Sequence, residues 1–142
     1  MAAVYWNDVE VGDGLPPVEV FLSREQVLAF ANATDMKAAR FTDDAGARRE
    51  GLPGMITPGN MTLGLLQKRI TDWAEGAVVR RLGVTFRGLV LPDQWLRLQA
   101  NVVGKIREEG ETALDLEVWL ETADGERAAT GTARVLLPHH GS

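Results

Sequence analysis

Thr57-Pro58-Gly59-Asn60 stands immediately before the apolar positions Met61, Leu65, Leu66, Ile70 and Trp73, which recur at helical spacing. Threonine can cap a helix N-terminus and proline suits the first helical position, so a helix is expected over about 57–75. Such a helix opens with backbone N–H groups that have no intrahelical partner. Groups of this kind can polarise a bound carbonyl as negative charge develops on its oxygen. Gly59 would let a ligand or a neighbouring backbone come close, while Asn60 either reaches into such a site or caps the helix. Upstream, Asp35, Arg40, Asp43 and Asp44 lie in a segment, 34–56, that is rich in Asp, Arg, Gly and Pro and lacks a sustained period. A carboxylate placed there could orient and deprotonate water. Exposed loop charges are more often solvated, or pair with helix termini.

Other chemistries are excluded by residue supply. The chain has no cysteine, which removes disulfides, thiolate metal sites and a cysteine nucleophile. The only serines are Ser23, in a helix-capping position, and Ser142, so a Ser-His-Asp arrangement has no nucleophile. His139 and His140 are adjacent and lack converging further ligands, so no metal site is expected. No phosphate-binding glycine loop or dinucleotide fingerprint occurs.

The elements that must position these residues follow from periodicity. Val18 to Leu22 reads as a short strand, and Ser23 with Gln26 forms a capping box ahead of Val27, Leu28, Phe30 and Ala31. Residues 34–56 form an ordered excursion of short turns, long enough to carry function. After the second helix, which has apolar residues on more than one side and so is largely enclosed, the period changes to two. Leu82, Val84 and Phe86 alternate with polar residues, as do Leu96, Leu98, Ala100 and Val102. The pattern continues through Leu114, Leu116, Val118 and Leu120, then Ala129, Ala133, Val135 and Leu137. With turns at Pro92-Asp93, Glu109-Gly110 and Asp124-Gly125, these strands are expected to run as an antiparallel meander, giving an α+β domain with a helix across the sheet.

Composition agrees with one domain. The 142 residues are 45% hydrophobic and 25% charged, and the net charge of −5 with a pI near 5.0 disfavours nucleic acid. No apolar run is long enough to cross a membrane as a helix, and a cytoplasmic location is expected. The domain is expected over 1–138, with 139–142 a flexible tail.

The order of elements resembles the hot-dog fold, a curled antiparallel sheet wrapped around a central helix. The residues narrow the resemblance. Asp43, Ala47, Gly51-Leu-Pro-Gly54, Thr57-Pro-Gly59, Thr71-Asp-Trp73, Arg81-Leu82, Val84, Phe86, Val90, Pro92-Asp93, Gly131, Ala133 and Pro138 look like the MaoC-like (R)-specific enoyl-CoA hydratase and dehydratase family, over about Tyr5 to Pro138. The resemblance implies addition of water to a trans-2-enoyl thioester, or its removal from a 3-hydroxyacyl thioester, as in fatty acid metabolism. The thioester is carried by coenzyme A or acyl carrier protein, and no other cofactor is implied. Gly59 matches the family glycine whose amide holds the thioester oxygen.

The family's catalytic pair is an Asp and a His from D-x-N-P-x-H-x-D. Counted back from Gly51, its His falls on Phe41 and its Asp on Met36. A shift by one residue brings Asp35 onto the Asp and Arg40 onto the His, but arginine stays protonated and is a poor base. The resemblance therefore implies an acyl-thioester binding protein of the hydratase type, with Gly59 and Asp35 as its catalytic candidates. Arg40, Phe41, Thr57, Pro58, Gly59 and Asn60 are its expected substrate contacts. It fits the dyad-lacking subunit of a heteromeric hydratase; the alternatives are a hot-dog thioesterase using Asp35 and a non-catalytic acyl-CoA-binding module. A homodimer, or a heteromer with a second hot-dog subunit, is expected, with sheets joined edge to edge.

Overall fold

The structure, a computed structural model, describes residues 3–141. Strand β1 (Val18–Leu22) leads into helix α1 (Arg24–Ala33), followed by a 3-10 turn (Ala39–Phe41) and the short helix α2 (Asp44–Arg49). Helix α3 (Gly59–Trp73) precedes β2 (Val78–Phe86), β3 (Gln94–Glu108), β4 (Glu111–Glu121) and β5 (Arg127–Leu136). The strands form one antiparallel sheet in the order β1-β3-β4-β5-β2.

The alternation of apolar residues locates the core. Leu96, Leu98, Leu114, Leu116, Leu120 and Val135 turn to one face and are buried with Val27 of α1 and Leu66 and Ile70 of α3. The opposite face is polar, and its charges pair across strands. Arg134 donates to both carboxylate oxygens of Asp115, its register partner, at 2.9 and 3.0 Å, which holds the Asp115 carboxyl below the usual carboxylate range. The curled sheet over a long helix is the expected α+β hot-dog arrangement.

The expected meander holds only in part. β3, β4 and β5 are joined by tight turns and pair in sequence, but β2 pairs with β5 and not with β3. Pro92-Asp93 is therefore no hairpin turn; residues 87–93 cross from one edge of the sheet toward the other. Ala128 O accepts the Arg87 N–H at 2.7 Å, Val90 O accepts the Thr57 N–H at 2.8 Å, and Leu22 O accepts the Asp93 N–H at 2.6 Å. The crossover thus passes the N-terminal end of α3.

The start of α3 also differs from expectation. Pro58 has extended backbone, φ −59° and ψ 140°, and is itself the N-cap, so the helix begins at Gly59. Thr57 therefore stands one position outside the cap, and no side chain caps the helix. The capping box of Ser23 and Gln26 forms as read. The two histidines, expected in a flexible tail, have defined partners. His140 stacks on Tyr5 at 3.8 Å and donates its N–H to Asn7 Oδ1 at 2.6 Å, while His139 Nδ1 lies 3.1 Å from Thr112 Oγ1. Among the described residues, no helix is long and apolar enough to cross a membrane.

Candidate functional site

The excursion between α1 and α3 is held in place by charge. Asp43 caps α2 by accepting the Ala45 and Gly46 amides at 3.3 and 3.0 Å, and Gly51, at φ 90°, ends that helix in a conformation that favours glycine. Asp44 accepts the Met55 N–H at 2.9 Å and pairs with Arg24 at 2.7 Å. The Arg24 N–H is accepted by Asp93 at 2.8 Å, so one arginine ties α1 to the excursion and to the end of the crossover. The Met55 amide, and then Arg24, hold the Asp44 carboxyl below the usual range. Asp44 is thus a latch and not a solvated loop charge.

This framework delivers Thr57 and Gly59 to a cavity of about 240 Å³ at the N-terminal end of α3. Arg40 and Phe41 form one wall, Thr57, Gly59 and Thr62 the helix side, and Phe86, Leu89 and Val90 the crossover side. The Phe86 ring is half exposed and stands against Gly59; a β-carbon at Gly59 would lie 2.9 Å from its Cζ. Among the described residues, the Gly59 and Asn60 amides have no acceptor, as befits a helix start without a side-chain cap. Thr57 is only 6% exposed, and its Oγ1, shielded from solvent, has no hydrogen-bond partner.

The cavity wall is otherwise apolar apart from Arg40 and Thr62, and it carries no carboxylate or imidazole. At about 240 Å³ it falls below the roughly 300–1,000 Å³ of drug-sized ligand pockets, so it suits part of a larger ligand. A carbonyl-bearing apolar group fits such a site, with its oxygen toward the helix amides and its hydrocarbon against phenyl and leucine side chains.

The sequence-predicted residues are therefore only partly brought together. Arg40, Phe41, Thr57 and Gly59 share the cavity. Arg40 also pairs with Glu50 at 3.1 Å. Pro58 is buried as the helix cap and Asn60 is exposed; neither lines the cavity. Asp35 is not brought to the wall. It sits at φ 59° with its side chain 82% exposed and paired with Lys37 at 3.1 Å. Thr62, Phe86 and Leu89 were not singled out as site residues by sequence. Phe86 closes the alternation of β2, where its spacing reads as core, and Leu89 lies in a segment that reads as a hairpin.

A larger groove across the polar sheet face involves Arg81, Gly83, Val103 and Thr132. Its Asp115 is already paired with Arg134. Among the described residues, no cluster of His, Asp or Glu could hold a metal ion.

Comparison with known proteins accords with this geometry. The chain is 27% identical over 140 residues to the fatty acid synthase beta subunit TOXC of Cochliobolus carbonum, covering 91% of this chain and spanning only 6% of that relative. The fold superposes on R-hydratase PhaJ1 from Pseudomonas aeruginosa with a TM-score of 0.87, at 16% identity, over 97% of this chain and 88% of that one. It also matches a chain of the ChsH1-ChsH2 complex from Mycobacterium tuberculosis with a TM-score of 0.80, at 18% identity, over 90% and 98% of the two chains. The family model described as MaoC like domain matches residues 13–122, and the chain, with its hot-dog fold and glycine-opened central helix, belongs to the MaoC-like hydratase and dehydratase family.

Proposed function

We propose that this protein binds an acyl thioester of coenzyme A or acyl carrier protein and serves a hydratase or dehydratase as the subunit without its own acid–base pair. One observation carries the reading: Phe41, where the family resemblance puts the histidine, shares a cavity with Gly59 but presents a phenyl ring. The oxygen-binding half of the site is thus retained while the proton-handling half is replaced by an apolar wall. The thioester oxygen sits at the Gly59 amide, the acyl group lies against Phe41, Phe86 and Leu89, and Arg40 offers its guanidinium to the carrier. Asp35, turned to solvent on Lys37, takes no part in this reading.

A complete reaction then needs a partner chain that brings the Asp and His, and heteromeric assembly has a parallel in the two-component ChsH1-ChsH2 complex. The purified protein alone is expected to hydrate crotonyl-CoA about 10²–10⁴-fold more slowly than a family member with both residues, the usual cost of losing a positioned acid or base. Robust hydration by the homogeneous protein would falsify this assignment.

Assembly follows from the sheet. β2 pairs on one side only, and exposes Val78 and Phe86 at its ends, so a second hot-dog chain, identical or related, can extend the sheet there. Light scattering at low micromolar concentration should report at least a dimer. A stable monomer contradicts it.

A further inference from the structure

The edge strand β2 carries two arginines, Arg80 and Arg81, and no acid. Arg80 is answered within the chain, by Glu111 at 3.1 Å. Arg81 is not: among the described residues, its exposed side chain makes no ion pair and no side-chain hydrogen bond. Its register partner on β5 is another arginine, Arg134, and like charges directly opposite each other on paired strands are destabilising. Asp115, one strand further in, gives both carboxylate oxygens to Arg134. The rest of the groove that Arg81 and Asp115 share carries no charge. Since β5 occupies one side of β2 and the other side is open, a carboxylate that answers Arg81 from a newly paired strand has to come from another chain.

We propose that the β2 edge selects, over a second copy of this chain, a related hot-dog chain whose pairing strand carries a carboxylate facing Arg81. This rests on the edge assembly above and names the chemistry of the partner. Backbone hydrogen bonds and the exposed ends Val78 and Phe86 serve either occupant alike, so charge is what discriminates between them. A second copy brings the same acid-free strand to the seam and adds cation to cation. β1, the other edge strand, does hold an acid, Glu19. Joining β1 of one copy to β2 of the next is a head-to-tail contact, however, which grows into an open filament unless it closes as a ring. Self-pairing through β2 is thus the weaker association, formed when no acidic partner is present.

The test makes the acidic partner from the chain itself. Arg81→Glu puts a carboxylate on an otherwise identical strand, and Arg81→Gln removes the charge alone. Both should melt near the parent, since Arg81 is exposed and unpaired within the chain. Parent and isotopically labelled Arg81→Glu are mixed, equilibrated and counted by native mass spectrometry in dilute and in concentrated ammonium acetate. Mixed dimers are expected to outnumber the two homodimers together by about two- to fivefold, the range of one cross-strand charge pair. The excess should shrink in concentrated salt, which screens exposed charges. By sedimentation equilibrium, Arg81→Gln should self-associate about two- to fivefold more tightly than the parent. Mixing in the statistical ratio, or unchanged self-association of Arg81→Gln, overturns the charge selection while the edge assembly stands. Growth of the parent beyond a dimer that is abolished by Glu19→Gln assigns the edge to β1 of a second copy, and overturns it too. A parent that stays monomeric overturns the edge assembly itself, and this inference with it.

Discussion

Asp44 and Thr57 lie on one excursion and end in opposite conditions. Asp44 has a backbone donor in Met55 and a cation in Arg24, which in turn reaches Asp93. Thr57 is more deeply buried, yet its hydroxyl has no partner. The same stretch of chain thus satisfies a half-buried carboxylate on two sides while leaving a nearly inaccessible hydroxyl alone. The Thr57 N–H and Pro58 O are engaged elsewhere, with Val90 O and with the Met61 and Thr62 amides. Polar groups in the latch hold the excursion in place, while Thr57 and Gly59 stand beside a cavity. The contrast separates residues that brace the excursion from residues that line the cavity.

That separation breaks if a substitution in one region acts like a substitution in the other. The largest expected effect is at Gly59. In Gly59→Val, the β-carbon meets the Phe86 ring at 2.9 Å and the added methyls occupy the path to the amide. Crowding of about 1–3 kcal/mol corresponds to about five- to 150-fold in affinity for butyryl-CoA. Because Phe86 is half exposed and its ring end can swing aside, the variant should still melt cooperatively. Undiminished affinity would mean that the amide is not the oxygen site.

A smaller effect of the opposite kind is expected at the latch. Asp44→Asn keeps an oxygen for the Met55 amide but loses the charge that pairs with Arg24. Melting temperature should drop modestly, while butyryl-CoA affinity, measured where both proteins are folded, stays the same. A loss of affinity as large as that of Gly59→Val would join latch and site into one unit.

The same pair sharpens the comparison through pH. Asp44 and Asp115 both have folded carboxyls held below the usual range, by the Met55 amide and Arg24 in one case and by Arg134 in the other. Their contribution to stability is complete above the ordinary carboxylate value of about 4 and is lost as pH falls through the lower folded values. Thermal melts should therefore be flat in this respect toward neutral pH and decline in the acid range, with a shallower decline in Asp44→Asn. An identical acid slope in both proteins would remove Asp44 from the account.

Much of the fold is legible in the sequence because each strand carries its own period. Leu96, Leu98, Ala100 and Val102 face the core as their alternation requires, and Ser23 and Gln26 cap α1 through contacts only a few residues apart. Strand partnership is not local. Pro92-Asp93 has the chemistry of a tight turn whether its flanking strands pair with each other or with distant ones, so the crossover is invisible to pattern. Thr57 likewise stands one position outside the cap of α3, which Pro58 takes. Gly59 and Phe41, which the sequence singles out, line the cavity, whereas Thr62, Phe86 and Leu89 become wall residues only once α3 and the crossover meet. Arg69 is a further surprise, since a charged residue at a buried helical position runs against the usual preference.

The crossover also orders events in time. β3, β4 and β5 are consecutive hairpins whose contacts close short loops, whereas β2 must find β5 across the whole of that meander, and β1 must find β3 across three helices and a strand. Non-local pairings of this kind form slowly, because loop entropy is lost before contacts compensate for it. The hydrogen bond from Thr57 to Val90 joins two such distant segments. On this ordering the cavity at the head of α3 is expected to close only after the β3-β4-β5 meander has formed.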